Sequence, residues 1–167
     1  MSVLKILMTK RRDGSIVTRL EREDGTATWQ RKDGPNARFF AFHDLEHYAV
    51  ETSLRYRRGF YGLVLEGWDL ADFGSPWPRG PLPADAEPVE LVVGLLARER
   101  ADRESFAAGD FNAHIAQYYA EHHLTGPPSF DDETLERLRA GIRQFHARWD
   151  ALPAGETLEL DFVVAGD

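Results

Sequence analysis

The sequence predicts an α+β fold: a mostly antiparallel four-stranded sheet, made of three N-terminal strands plus the C-terminal strand, covered by four or five helices. Three observations carry this prediction. Asp-Gly pairs at 13–14, 24–25 and 33–34 punctuate alternating runs in the first 35 residues. From residue 38 onward, apolar residues recur at spacings of three and four, the period of a helix with one buried face. The final run, TLELDFVV, alternates again with period two. The chain has 167 residues, enough to bury a substantial core, and is expected to be one domain spanning residues 1–167.

The elements follow in order. Residues 3–8 are aliphatic and β-branched and predict the first strand. SIVTRLER, with Ile16, Thr18 and Leu20 on one face, predicts the second, and TATWQRK the third. Asp-Gly between such runs is a hairpin signal, because glycine adopts positive φ without steric cost. Residues 38–54 predict a helix through Phe39, Phe42, Leu45, Ala49 and Val50, with Gly59 near its end. Residues 60–71 predict a shorter helix containing two glycines. Residues 74–88 hold five prolines and read as an ordered loop or lid, since proline blocks helix and central strand alike.

Three further helices follow. Pro88 suits a first turn, and Val89, Val92, Val93 and Leu96 form the stripe of a helix running to about Arg103. Asp110 is the expected cap of a helix reaching His123. After caps offered by Ser129, Asp131 and Asp132, the residues Leu135, Leu138, Ile142, Phe145 and Trp149 give the sharpest amphipathic pattern in the chain. In the last strand, Leu158, Leu160 and Phe162 face inward, and the strand is expected to join the N-terminal meander.

Composition bounds the chemistry. There are no cysteines, so disulfides, thiolate metal sites and cysteine nucleophiles are excluded, and the cytoplasm is the expected compartment. Twenty basic against 28 acidic residues give a net charge of −8, which argues against a nucleic-acid partner. No apolar run reaches the roughly 18–20 residues that a membrane span needs. No phosphate-binding loop, dinucleotide fingerprint or nucleophile elbow is present.

One stretch points to chemistry. FHDLEHYAVE, residues 42–51, places two histidines and three carboxylates on the first predicted helix. His43 and His47 lie one turn, roughly 6 Å, apart on one face, the spacing by which two imidazoles clamp one ion. Asp44 and Glu51 lie close to that face, and Glu46 is expected to point away into solvent. The rise from residue 43 to 51 is about 12 Å, too far for both ends to reach one ion easily. Glu51 is therefore a ligand only if His43 is not, or else it supports His47 from behind. The sets left open are His43 and His47 with a ligand from elsewhere, or Asp44, His47 and Glu51. Glu66, on the next predicted helix, is the expected outside ligand. A divalent transition metal, zinc first by donor type, would activate water for hydrolase or lyase chemistry on an unknown small molecule, with Asp44 or Glu51 as base or orienter. The competing reading is a metal-free His/carboxylate network in a non-enzymatic binding or interaction domain, since such pairs can satisfy one another. The aromatics of GFYGLVLEGW and SPWP would then face a partner or a homodimer.

Other constellations are weaker. His114, Tyr118 and His122 share a face and would bring His114 towards the same pocket. His146 and Asp150 are expected to pair on the surface. Trp68, Trp77, Phe60 and Tyr61 are candidates for a pocket mouth.

HDLEHYAVE followed by RRGFYGLVLEG resembles an uncharacterised bacterial family bearing a His-Asp-Leu-x-His-x-x-Val-Glu helix; the resemblance covers about residues 42–67 and implies no particular activity. His43-Asp44-x-x-His47 is also similar to the zinc motif of the coenzyme-Q biosynthesis Coq-four family. That family places a Glu twelve positions past the second His, where this chain has Gly59. The same residues, with Glu66 downstream, are loosely similar to the His-Glu-x-x-His zinc peptidases, with Asp44 in place of the catalytic Glu. The His-Asp doublet of metal-dependent phosphohydrolases needs an earlier His, and residues 1–42 contain none.

Overall fold

The computed structural model describes residues 1–166, the Glu87 side chain aside. Strands β1 (Ser2–Lys10), β2 (Ile16–Arg22) and β3 (Ala27–Lys32) form the expected meander. Strand β4 (Thr157–Val164) pairs with the other side of β1, so the sheet is antiparallel throughout with order β3-β2-β1-β4. Gly14 and Gly25 take φ of 83° and 85° in the two hairpin turns. Asp13 and Asp24 fix those turns by accepting the main-chain N–H of Ser15 and Thr26 at 3.0 and 2.9 Å. Register then decides faces. Leu4, Ile6, Met8, Leu20, Leu158, Leu160 and Phe162 are buried, whereas Lys5, Arg19 and Glu159 stand on the open side.

Five helices follow among the described residues: α1 (Ala37–Leu54), α2 (Phe60–Leu65) and α5 (Asp132–Ala151) pack on the inner face, and α3 (Glu87–Asp102) and α4 (Ala108–Glu121) pack on the other helices. The α+β architecture is thus the one the sequence predicts. Helix α1 lies at the centre. Ala41 and Leu45 join the cluster beneath the sheet with Tyr61, Val64 and Trp149. Ala49 and Val50 join a second cluster with Val92, Leu96, Phe111, Ile115, Leu138 and Ile142 of the other helices. A helix covered on several sides leaves its polar residues few routes to water, so each needs a partner.

Three local expectations are corrected. The helix expected over residues 60–71 ends at Leu65; Gly67 turns the chain at φ 110°, and a 3-10 turn over Leu70–Phe73 follows. Asp110 does not cap α4, because the helix begins two residues earlier at Ala108 and Asp110 falls within its first turn. Phe39 is 65% exposed, since α1 turns that position outward beyond the edge of the sheet. By contrast, Asp131 caps α5 as expected, accepting Thr134 N–H at 2.8 Å. Among the described residues, no helix is long and apolar enough to cross a membrane.

Candidate metal centre

The site is built from the middle of α1 outward. His43 and His47 do converge: their ring centroids are 4.8 Å apart, edge to face. The third group beside them is Glu90, from the first turns of α3. Ligand atoms of His43, His47 and Glu90 all lie within 4.8 Å of one another, and this group can hold a metal ion. Glu90 Oε2 is 3.5 Å from His47 Nε2. Tetrahedral ligands around zinc sit about 3.4 Å apart, so small side-chain rotations suffice to close the set on an ion.

The two ends of the His47 ring have different surroundings. Nδ1–H donates to Glu51 Oε1 at 3.2 Å in a buried position. Glu51 in turn accepts Phe60 N–H on Oε1 at 2.7 Å and Tyr61 N–H on Oε2 at 3.1 Å. The carboxylate therefore occupies the start of α2, where the first main-chain N–H groups have no partner within the helix. Gly59 makes room for it. A Cβ there would stand 2.3 Å from Glu51 Cδ and 2.6 Å from each carboxylate oxygen. Glu51 thus lies behind His47, fixing its tautomer and orientation, while Nε2 faces Glu90.

Charge follows this geometry. Burial alone would push the His47 imidazole down; the hydrogen bonds to Glu51 and Glu90 outweigh it and hold it up to about 10. Burial pushes Glu51 up, against the hydrogen bonds it accepts from His47 and from the two main-chain N–H groups. Both Glu51 oxygens act as acceptors, so the proton of the pair resides on the imidazole. Glu90 would also rise on burial, but its bond to His47 brings it below the usual carboxylate range. His43 is lowered, first by burial and then by the neighbouring charge of His47, which favours the neutral ring that a metal requires.

Asp44 sits beside this cluster rather than in it. It lines the same cavity of about 540 Å³ with His43, His47 and Glu90, above Gln30 and Lys32 of β3. Burial raises its carboxyl to about 7, against the positive charges of His47 and Lys32 and a hydrogen bond from Thr18. A carboxyl titrating near neutral pH is suited to proton transfer. Phe60, Phe73, Pro76 and Trp77 close the cavity, so the proline-rich segment does form a wall.

The remaining sequence candidates are placed as follows. Glu66 ends α2 with its carboxylate on Arg58 Nε at 2.8 Å, and it is Glu90 that meets the imidazoles. Glu46 is buried, not solvated: it is held between Arg100 and His146, the latter at 3.3 Å. His146 stacks on Phe42 at 4.0 Å, and Asp150 pairs with Arg38 at 2.8 Å instead of with His146. His114 packs against Phe106 in a different cavity, beside Arg98 and Asp110, and does not reach the His43 group. His122 stacks on Tyr118 at the end of α4. Phe60 and Trp77 line the site, whereas Trp68 lies against Phe73 and Arg79.

Glu90 escaped the sequence reading because its contact is made by packing of α3 on α1. A signal was present. In PVELVVGLL the glutamate is the sole charge in a nine-residue apolar run, and a carboxylate so placed needs a partner. Comparison with protein-family models, with curated proteins and with solved structures finds no match for this chain.

Proposed function

We propose that the chain is a metal-dependent enzyme of the hydrolase or lyase class, holding one divalent transition metal, zinc by donor type, on His43, His47 and Glu90. The convergence of two imidazoles and one carboxylate within 4.8 Å carries this reading. Two histidines and one glutamate form a ligand set used by catalytic zinc, with a fourth position left for water. The ion would lower the pKa of that water towards about 7. Asp44 takes or returns the proton, Glu51 orients His47, and the aromatic wall limits bulk water. The substrate is a small molecule that fits the cavity above Gln30 and Lys32.

One observation favours a second reading. Glu51 and Glu90 already balance a doubly protonated His47, so the same residues make a closed polar network without an ion. In that case the chain is a non-enzymatic binding domain, and the cluster is structural. Elemental analysis of protein purified without a polyhistidine tag separates the two. About one equivalent of transition metal, lost in His47→Ala and in Glu90→Ala, is expected. Less than about a tenth of an equivalent, unchanged after incubation with zinc and dialysis, overturns the metal reading.

A further inference from the structure

Glu90 stands between two cavities. On one side is the polar space of the candidate metal centre. On the other is a larger cavity of about 780 Å³, walled by Trp77, Pro81, Leu82, Leu91, Leu95 and Tyr118. Trp77, Leu82 and Glu90 line both, so the two spaces share a wall at the Glu90 side chain. Among the described residues, Glu90 is the sole charged one on the wall of the larger cavity. Its volume falls within the range of about 300–1,000 Å³ of small-molecule sites.

A second observation is that nothing fills this space from position 94. Gly94 lies in the interior of α3, one turn beyond Glu90, on the wall of the apolar cavity. Glycine inside a helix is unfavourable relative to alanine, because it loses more backbone freedom on folding. Neither close packing nor backbone conformation requires it here: a Cβ would meet no atom within 4 Å, and φ is not positive. Any larger side chain at this position would project into the cavity.

We infer that the two cavities form one binding site for an apolar carboxylic acid, an aliphatic or aryl-substituted acid of medium length. Its carboxylate ligates the ion of the metal centre, and its hydrocarbon part fills the cavity floored by Gly94. The inference rests on the metal reading above. The chemistry of each half selects its end of the ligand. A carboxylate oxygen can join the water of a His/His/Glu zinc site as a further ligand, and Lys32 adds a positive charge on the same wall. Beyond Glu90, the described lining of the apolar half offers hydrocarbon burial to a distal group.

Calorimetric titration of the zinc-loaded protein with acetate, butanoate, hexanoate, octanoate and decanoate tests this. Affinity is expected to rise about threefold to fourfold per methylene until the cavity is full. Gly94→Leu and Gly94→Phe should flatten that series while leaving zinc affinity and acetate binding unchanged. Neither residue change touches a proposed ligand, and circular dichroism checks that each variant is folded. A flat series in the unaltered protein overturns the inference and leaves the metal reading intact, as does a series unaffected by both Gly94 variants. Zinc titration fails on its own if the metal reading is at fault. Chain-length-dependent binding that persists without zinc places the carboxylate elsewhere and overturns the inference as stated.

Discussion

Replacing Glu51 tests whether the fold and the site share one support. The carboxylate is fully buried and accepts three hydrogen bonds, from His47 Nδ1, Phe60 N and Tyr61 N. Glu51→Ala leaves all three donors without a partner in a space closed to water. Breaking a buried ionic pair from one side costs about 3–5 kcal/mol. Glu51→Gln keeps the shape and one carbonyl oxygen, but its amide N–H₂ must face another donor; one unsatisfied group of that kind costs about 1–3 kcal/mol. The His47 ring also loses the partner that fixes its tautomer, and such losses lower metal affinity about 10- to 100-fold. Urea unfolding followed by circular dichroism reads the first effect, and competition for zinc against a chromophoric chelator reads the second. A Gln variant within about 0.5 kcal/mol of the parent, with zinc affinity unchanged, would refute the argument, because ordinary surface substitutions do no more.

Other outcomes are expected. Because the metal-free His47 holds its second proton up to about 10, zinc must displace one proton, and affinity should rise about tenfold per pH unit from about pH 6 to about pH 8. The same raised value gives the metal-free protein stability that is fully present below the unfolded pKa of about 6.5 and lost as pH rises through the folded value; pH-independent zinc affinity, measured by calorimetry in two buffers, contradicts this. Gly59→Ala should destabilise by about 1–3 kcal/mol through overpacking, since its Cβ would fall 2.3 Å from Glu51 Cδ; an unchanged urea midpoint counts against the cradle. Glu90→Ala should lower zinc affinity at least about tenfold with little change in stability, because its side chain is 40% exposed. Glu66→Ala, which removes a partner of Arg58, should leave zinc affinity as it was.

What the sequence reveals divides by range. The meander was legible because its turns are local: Asp-Gly sets both the sharp reversal and the side-chain acceptor within three residues. The pairing of His43 with His47 was legible for the same reason, being fixed by one turn of helix. Helical rise left Glu51 open between ligand and support for His47; its contact is with His47 Nδ1, and it is not in the His43, His47 and Glu90 group. Glu90 was not legible, because nothing near it in the chain says which face of α1 it will meet. The expectation for Glu46 failed for a related reason. Helical angle places it away from His43, but direction becomes solvent exposure only if one side of the helix is open. Arg100 of α3 and His146 of α5 cover that side. The helix boundary at Leu65 was blurred by Gly67, whose positive φ ends α2 where a periodic reading continues it.

The two nitrogens of His47 divide structure from chemistry. Nδ1 is bound into the α1–α2 connection through Glu51, whose carboxylate takes the place that a side chain at position 59 would need. That end of the ring is fixed by the fold whatever occupies the other. Nε2 faces Glu90, a half-exposed carboxylate on the wall of two cavities. A proton there suits the 3.5 Å approach of Glu90; an ion there would use the same ring, the same tautomer and the same carboxylate. Glu90 and the His43 ring, the two groups that would close on an ion with His47, both line the cavity. Under the metal reading, buried support on one side and a half-exposed ligand on the other would let the site load without unfolding the chain that carries it.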